Sequence, residues 1–143
     1  MALSNHMELR FVSMPENEAF SRVVISGFLM QKNPTLSMLT EVRTAISEAV
    51  TNAIVHGYGN HTGMVVLRAQ LDDDTLQVEV EDYGRGIEDV QRAIQPFFTT
   101  QPEKERTGIG FALMQSFMDS VSVSSSPGCG TLVKMVKKLD QTV

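Results

Sequence analysis

The chain of 143 residues contains a single cysteine, Cys129. One cysteine excludes an internal disulfide bond and fits the reducing conditions of the cytoplasm, where we expect the protein to act. The sequence also lacks any apolar run near the ~20 residues that span a bilayer, and its N-terminus lacks the long apolar stretch of a signal peptide. We therefore expect neither membrane insertion nor export.

Basic residues are few, because 12 lysines and arginines stand against 17 aspartates and glutamates, giving a net charge of −5. Proteins that bind nucleic acid usually present a clustered basic face. A small basic cluster, Lys134, Lys137 and Lys138, is typical of a solvated strand edge, so direct binding to nucleic acid is not expected. With 42% hydrophobic and 20% charged residues, the composition indicates one globular domain with a working core.

Hydrophobic periodicity predicts the element order β-α-α-β-β-α-β-β. The expected elements are a strand over 9–13, a helix starting at Pro15 with Ser13 as N-cap, a helix over 35–55, a hairpin of strands 64–71 and 76–81, a helix over 108–119, and strands over 121–125 and 131–138. This order predicts an α+β fold, a two-layer sandwich in which helices cover one face of a mixed β-sheet. The domain is expected to span residues 7–139, with residues 1–6 a disordered start or a remnant.

A long segment separates the hairpin from the third helix. It runs from Tyr83 to Arg106, is rich in glycine, proline and charge, and is expected to hold one or two helical turns at 88–94. Irregular stretches of this length are uncommon inside a compact domain and are usually functional. We interpret the segment as a lid over a site.

The first candidate motif is Glu48-Ala-Val-Thr-Asn52 on the second helix. Residues four apart share a helix face, so the Glu48 and Asn52 side chains lie one turn apart on the same side. A carboxylate can take a proton from an attacking hydroxyl, and an amide oxygen can bind Mg²⁺. Taken alone, the pair is more typical of a solvated helix face. His56 continues the row and is expected to act as a cap or packing residue.

The second motif, Asp82-Tyr-Gly84-Arg-Gly86, follows an alternating strand directly. A carboxylate at a strand end can accept a hydrogen bond from the exocyclic amine of adenine, and glycines let the backbone approach the base closely. Aspartate and glycine are also the commonest turn residues, so a simple turn is the alternative when the motif is considered alone.

The third motif, Thr107-Gly108-Ile-Gly110, opens a helix whose free N–H groups and dipole favour a phosphate. Arg106 just before it could add a cation to the γ-phosphate. The motif does not predict a Rossmann dinucleotide-binding site, which has a strand directly before Gly-x-Gly-x-x-Gly. No strand precedes the glycines here, and Leu113 stands in place of the last glycine. The Gly-Lys-Ser/Thr ending of a P-loop is absent as well.

Together the three motifs resemble the N, G1 and G2 boxes of the ATPase superfamily of gyrase, Hsp90, histidine kinases and MutL. The resemblance covers residues 7–139. The segments 15–22 and 97–103 are similar, more narrowly, to the anti-sigma factor serine kinases of spore-forming bacteria. The resemblance implies a Bergerat-type site for ATP or ADP with Mg²⁺, a serine kinase acting on an anti-anti-sigma factor, and a homodimer that sequesters a sporulation sigma factor, sigma F.

The resemblance also implies a role for each motif residue. Glu48 would be the base for the partner's serine hydroxyl, and Asn52 would hold Mg²⁺. The residues implied to contact the nucleotide are Asp82 at the adenine amine, Gly84, Gly86 and Thr131 near the base, Thr107, Gly108, Ile109 and Gly110 at the phosphates, and Arg106 at the γ-phosphate. Arg22 matches a residue of the partner-binding face. Gln101 departs from the family pattern, which often has lysine there, so a second lid cation is in question.

Three other functions stay open at this stage. A general-stress anti-sigma factor kinase would carry the same boxes. A nucleotide-gated binding module would use ATP to set partner affinity without chemistry, although Glu48 favours the kinase. A detached catalytic domain of a histidine kinase is disfavoured because no phosphoacceptor helix precedes the ATP motifs.

Overall fold

A five-stranded sheet organises the chain in the computed structural model, which describes residues 4–95 and 110–139. The strands are β1 (Ser4–Val12), β2 (Met64–Asp72), β3 (Thr75–Asp82), β4 (Ser120–Ser125) and β5 (Thr131–Lys138). Their order across the sheet is β1-β2-β3-β5-β4, and all four pairings are antiparallel. The expectation of a mixed sheet was wrong for the described residues, because each strand lies next to strands of opposite direction; β5, for example, lies between β3 and β4, which run in the same direction.

The helices of the described residues connect these strands in the expected order. They are α1 (Glu16–Leu29), which a short 3₁₀ turn (Met30–Lys32) extends, α2 (Leu36–Asn52), a π-helical segment (Ala53–Tyr58), α3 (Val90–Ala93) and α4 (Gly110–Phe117). The α2 helix begins where predicted, since the Thr35 side chain accepts a hydrogen bond from the Met38 N–H at 3.1 Å. No helix in the described ranges has both the length and the apolar character needed to span a membrane.

The helices bury their apolar stripes against one face of the sheet. Alternate side chains of β2 and β3 point into this core, as the strand period of two requires, and α2 supplies the apolar stripe that covers them. The fully buried core residues of these three elements include Val42, Ile46, Val50, Leu67, Leu71, Leu76 and Val78. The α+β two-layer fold predicted from the sequence is therefore confirmed.

The opposite face of the sheet is polar. Arg68 of β2 lies at its centre and pairs with Glu8 of β1 at 3.0 Å and with Glu81 of β3 at 2.8 Å. These are cross-strand pairs of opposite charge on a partly exposed surface, so each contributes little to stability.

Two expectations for the N-terminal region were wrong. Residues 4–6 are not a disordered start, since they extend β1 and pair with residues 70–72 of β2. Ser13 does not cap α1: its N–H donates to the Gly63 carbonyl at 2.9 Å, and its hydroxyl accepts from the Gly63 N–H at 3.0 Å. Ser13 is buried by this exchange, which continues the β1–β2 ladder by one step, and Pro15 occupies the N-cap position of α1 without a side-chain bond.

A matched pair of leucines tests how the helices pack. Leu29 is fully buried, whereas Leu36 is 79% exposed. Leu29→Ala should lower the free energy of unfolding by about 2–5 kcal/mol because it leaves a cavity, and Leu36→Ala should change it by less than about 0.5 kcal/mol. Urea denaturation measures both. Equal effects of the two substitutions would contradict the described packing of α1.

Candidate functional site

A depression of about 380 Å³, including its open mouth, lies where the end of α2 meets the ends of β3 and β5. Ligand sites for small molecules are typically concave and mostly apolar, with few polar groups. The side chains and backbone around it include Asn52, His56, Asp82, Gly86, Phe111 and Thr131. The fold thus brings residues of the first two motifs together with Thr131 and with Phe111, which directly follows the third motif.

Asp82 is the buried polar group of this depression. It is the last residue of β3 and is only 4% exposed. The Gly84 N–H donates to its Oδ1 at 2.9 Å. Burial raises the pKa of Asp82 to about 6, and the Glu81 charge adds to the rise, whereas hydrogen bonds from the backbone of Gly84 and Thr131 oppose it. A largely desolvated carboxylate that faces a pocket is suited to bind a hydrogen-bond donor of a ligand.

Glycines allow the backbone to close tightly around Asp82. A Cβ at Gly57 would lie within 2.9 Å of all three atoms of the Asp82 carboxyl group. A Cβ at Gly84 would lie 2.0 Å from the Gly57 carbonyl oxygen, so the loop after β3 packs directly on the end of the π-helical segment. Gly86 has φ +75°, and a Cβ there would lie 2.0 Å from the Ser126 carbonyl oxygen. Gly84 and Gly86 of the second motif therefore let the loop after β3 approach the backbone of Gly57 and of Ser126 closely.

The π-helical segment is a feature that periodicity did not predict, because a helix over 35–55 was expected to end there as an α-helix. The segment continues to Tyr58, and the Gly59 N–H donates to the Ile54 carbonyl at 3.2 Å. Short π-helical segments inside α-helices are frequent at functional sites. Arg85 satisfies two of its carbonyls, since the side-chain Nε donates to His56 at 2.8 Å and the backbone N–H donates to Gly57 at 2.9 Å.

Tyr58 ties the same segment to β2 and to the residue that follows β3. Its hydroxyl donates to the Met64 carbonyl and accepts from the Tyr83 N–H at 2.8 Å. Because Tyr83 directly follows Asp82, this contact fixes the backbone next to the buried carboxylate. Burial raises the pKa of Tyr58, so its hydroxyl stays protonated and can act as the donor.

Ser125 supports two residues that line the depression, Ile87 and Thr131, and the sequence analysis missed it. Its hydroxyl accepts from the Ile87 N–H, donates to the Gly130 carbonyl and lies beside the Thr131 hydroxyl, each at 2.8 Å. It therefore joins the loop after β3 to the start of β5. Ser125 is one of three consecutive serines, and only the pairing of Ser125 with Thr131 in the β4–β5 register identifies which of them contacts Thr131.

The remaining predicted residues lie at different distances from the depression. Asn52 ends α2 and lines it, whereas Glu48 lies one turn earlier, is half-buried, and does not belong to the lining given by the described residues. Gly110 is buried at the start of α4. Arg22 is on α1 and borders a second depression.

Several predicted positions lie outside the described residues: Arg106, Thr107, Gly108 and Ile109, together with Gln101 of the lid.

Comparison with known proteins agrees with the geometry. The profile of the histidine kinase-like ATPase domain matches residues 11–137. A protein named anti-sigma F factor from Caldanaerobacter subterraneus is 50% identical over 137 residues, covering 96% of each chain. The protein of that name from Bacillus subtilis is 45% identical over 141 residues, covering 98% of this chain and 97% of the relative.

Two solved structures are also similar. The RsbU and RsbW domains of a Mycobacterium tuberculosis protein match with a TM-score of 0.69 at 20% identity, covering 94% of this chain and 32% of that one, which supports the fold alone. A histidine kinase domain from Erythrobacter litoralis matches with a TM-score of 0.52 at 26% identity, over 73% of this chain and 49% of that one.

The pKa of Asp82 predicts a specific dependence of stability on pH. Because burial raises this pKa from 3.8 to about 6, the folded chain retains a proton that the unfolded chain has released between these pH values. Its contribution to stability is therefore greatest at low pH and is lost as the pH rises from about 4 to about 6. Relative to wild type, Asp82→Asn should gain up to about 3 kcal/mol in free energy of unfolding between pH 4 and 7. Denaturant unfolding of both proteins measures the difference, and a constant difference across this range would contradict the assignment.

Two glycines provide a matched test of the close packing around Asp82. Gly57→Ala should destabilise the protein because its Cβ would collide with the Asp82 carboxyl group, whereas a Cβ at Gly27 of α1 meets nothing within 4 Å. Gly27→Ala should instead raise stability by up to about 1 kcal/mol through helix propensity. Thermal unfolding compares the two variants. If Gly57→Ala were as stable as Gly27→Ala, the tight contact would be excluded.

Proposed function

Because the chain belongs to the histidine kinase-like ATPase domain family and, within it, to the anti-sigma F factors, we propose that it binds and inhibits sigma F and, with Mg²⁺ and ATP, phosphorylates an anti-anti-sigma factor on serine. The observation that carries the nucleotide part is the buried Asp82 carboxylate at the edge of an apolar depression. The carboxylate oxygens of Asp82 can accept further hydrogen bonds, and the exocyclic amine of adenine is a suitable donor.

The metal part of the proposal rests on Asn52. No group of three or more histidine, cysteine, aspartate or glutamate side chains that could hold a metal ion by itself occurs among the residues the structure describes. This fits Mg²⁺, which is commonly held by one or two protein oxygens together with the phosphates of its nucleotide. The Asn52 side chain lines the depression and offers such an oxygen. When bound, the ion would neutralise charge on the phosphates.

Glu48 is the proposed general base. In the transfer, its carboxylate takes the proton from the serine hydroxyl of the partner. The serine oxygen then forms a bond to the γ-phosphorus of ATP, the bond to the bridging oxygen breaks, and ADP leaves. The position of Glu48, one turn from Asn52 on the same side of α2, suits a hydroxyl that approaches from outside the nucleotide pocket.

The other residues implied by the family resemblance complete the proposal. By the family resemblance, Gly108, Ile109 and Gly110 would offer backbone N–H groups to the phosphates, Thr107 would also contact them, and Arg106 would reach the γ-phosphate. Gly84, Gly86 and Thr131 would hold the base against Asp82. Arg22 would contact the protein partners, and the active form would be a cytoplasmic homodimer.

One observation favours a second candidate function. Glu48 does not line the described pocket. A nucleotide-gated binding module, in which ATP sets the affinity for sigma F and no phosphate moves, would not need a carboxylate there. The two candidates differ in whether phosphate reaches the partner.

A matched pair of glutamates on α2 distinguishes them. Glu48→Gln should slow phosphate transfer from labelled ATP to the anti-anti-sigma factor at least 100-fold, because general bases contribute on that scale, while ATP affinity changes less than about threefold. Glu41→Gln, a substitution of the same kind nearer the start of the helix, should leave transfer unchanged.

Two outcomes would decide against parts of this account. Transfer at the wild-type rate by Glu48→Gln would remove Glu48 from the role of base. Absence of transfer in the wild type, with ATP-dependent binding of sigma F intact, would leave the binding module as the function.

A further inference from the structure

Three polar side chains form a row across neighbouring strands at the nucleotide pocket. Asp82 of β3 pairs with Thr131 of β5, and Thr131 pairs in turn with Ser125 of β4. Directly paired residues of a sheet point to the same face, and here it is the face that packs against the helices, since Val80, two residues before Asp82, is buried in the core. Asp82 and Thr131 line the pocket, and Ser125 stands behind Thr131.

The Ser125 hydroxyl has three partners, which together use all of its hydrogen-bonding capacity. A serine hydroxyl can donate one hydrogen bond and accept two. The Ile87 N–H can only donate, so Ser125 accepts from it, at 2.8 Å. The Gly130 carbonyl can only accept, so Ser125 directs its one proton there, at 2.8 Å. A single accepting lone pair is left for the third partner, Thr131.

The direction of the hydrogen bond between the two hydroxyls follows from these partners. The oxygens of Ser125 and Thr131 lie 2.8 Å apart, and the distance by itself allows either of them to donate. Because the Ser125 proton is directed to Gly130, the Thr131 hydroxyl must donate to Ser125. The Thr131 oxygen therefore has only lone pairs to offer to a ligand in the pocket.

Asp82 and Thr131 thus both present hydrogen-bond acceptors at this end of the pocket. Directly paired residues have Cβ atoms about 5 Å apart, so one small group of a ligand can lie within reach of both oxygens. An amino group supplies the donor that they need. A carbonyl oxygen in the same place would face two acceptors, and a site built to hydrogen-bond a donor rejects a ligand that lacks it.

We propose that Ser125 holds the Thr131 hydroxyl as an acceptor and thereby helps the pocket to select a purine with an exocyclic amine over one with a carbonyl oxygen in its place. Ser125 is a positioning residue, because it contacts Thr131 and not the base. The inference rests on the proposed function, since it deepens the assignment of Asp82 and Thr131 to the adenine base.

Calorimetric titration with ATP and with inosine triphosphate, which has a carbonyl oxygen where ATP has the amine, tests this role. The titrations are made at about pH 8, where Asp82, with a pKa of about 6, is ionised. Ser125→Ala should lower the ratio of ATP affinity to inosine triphosphate affinity about fivefold, because the released Thr131 hydroxyl can turn and donate to the carbonyl. A merely structural effect would weaken both nucleotides alike and leave the ratio unchanged.

Two further variants of β4 are the controls. Ser125→Thr keeps the hydroxyl and should retain the wild-type ratio. Ser124→Ala removes an exposed hydroxyl at the neighbouring position, which pairs with Leu132, and should change the ratio less than about twofold.

A double-mutant cycle determines whether Ser125 acts through Thr131. Thr131→Val removes the hydroxyl that faces the ligand, so it should lower the ratio by itself. Adding Ser125→Ala to Thr131→Val should then change the ratio no further. Should Ser125→Ala fail to fold, Ser125→Cys takes its place in the cycle, since a thiol is a weak donor and a weak acceptor.

The outcomes separate this inference from the nucleotide part of the proposed function. If ATP binds and the ratio is the same in the wild type and in the Ser125 variant without a hydroxyl, the role of Ser125 is overturned. A further fall in the ratio when that substitution is added to Thr131→Val would overturn it too, because the effect would then bypass Thr131. If the wild type binds neither nucleotide, the nucleotide part of the proposed function fails, and this inference fails with it.

Discussion

The burial of the Asp82 carboxylate is the constraint on which the rest of the site depends. Removing a charge from water is unfavourable unless hydrogen bonds replace the lost solvent, and here backbone N–H groups of Gly84 and Thr131 do so in part. Those donors are in place only if the loop after β3 turns back sharply and β5 lies next to β3. Asp82 also lines the depression, so its remaining acceptor capacity suits a hydrogen-bond donor there.

Two contacts hold this arrangement. The π-helical segment packs on the loop after β3 through Gly57 and Gly84, and the Ser125 hydroxyl joins that loop to the start of β5. The nucleotide pocket and the second depression, which Arg22 borders, both use α2, but on different sides of the helix. A rigid α2 helix would keep a bound nucleotide and Glu48 in a fixed relation. This is the positioning that phosphoryl transfer needs.

Much of the fold was predictable from the sequence because alternation along strands is a local signal. The bounds of β5 agree with the prediction at both ends, and the hairpin of β2 and β3 agrees within one residue. The π-helical end of α2 was not predictable, since the same apolar spacing fits an α-helix. Ser125 was missed because its role depends on its pairing with Thr131 across the hairpin. Asp82 and Asn52, which line the first depression, were proposed as site residues from motif order, whereas the second depression, which Arg22 borders, could not be predicted because two helices must pack together to form it.

The most direct test of the account is a titration of the Asp82 side-chain carboxyl by carbon-13 NMR, with and without an adenine nucleotide. We predict a midpoint near pH 6 in the free protein, because burial raises the pKa to about 6. Saturating nucleotide should move the midpoint to lower pH, since an amine that donates to the carboxylate stabilises its charged form. A midpoint near 4 in the free protein, or one that nucleotide leaves unchanged, would contradict the central claim that Asp82 is a buried acceptor for adenine.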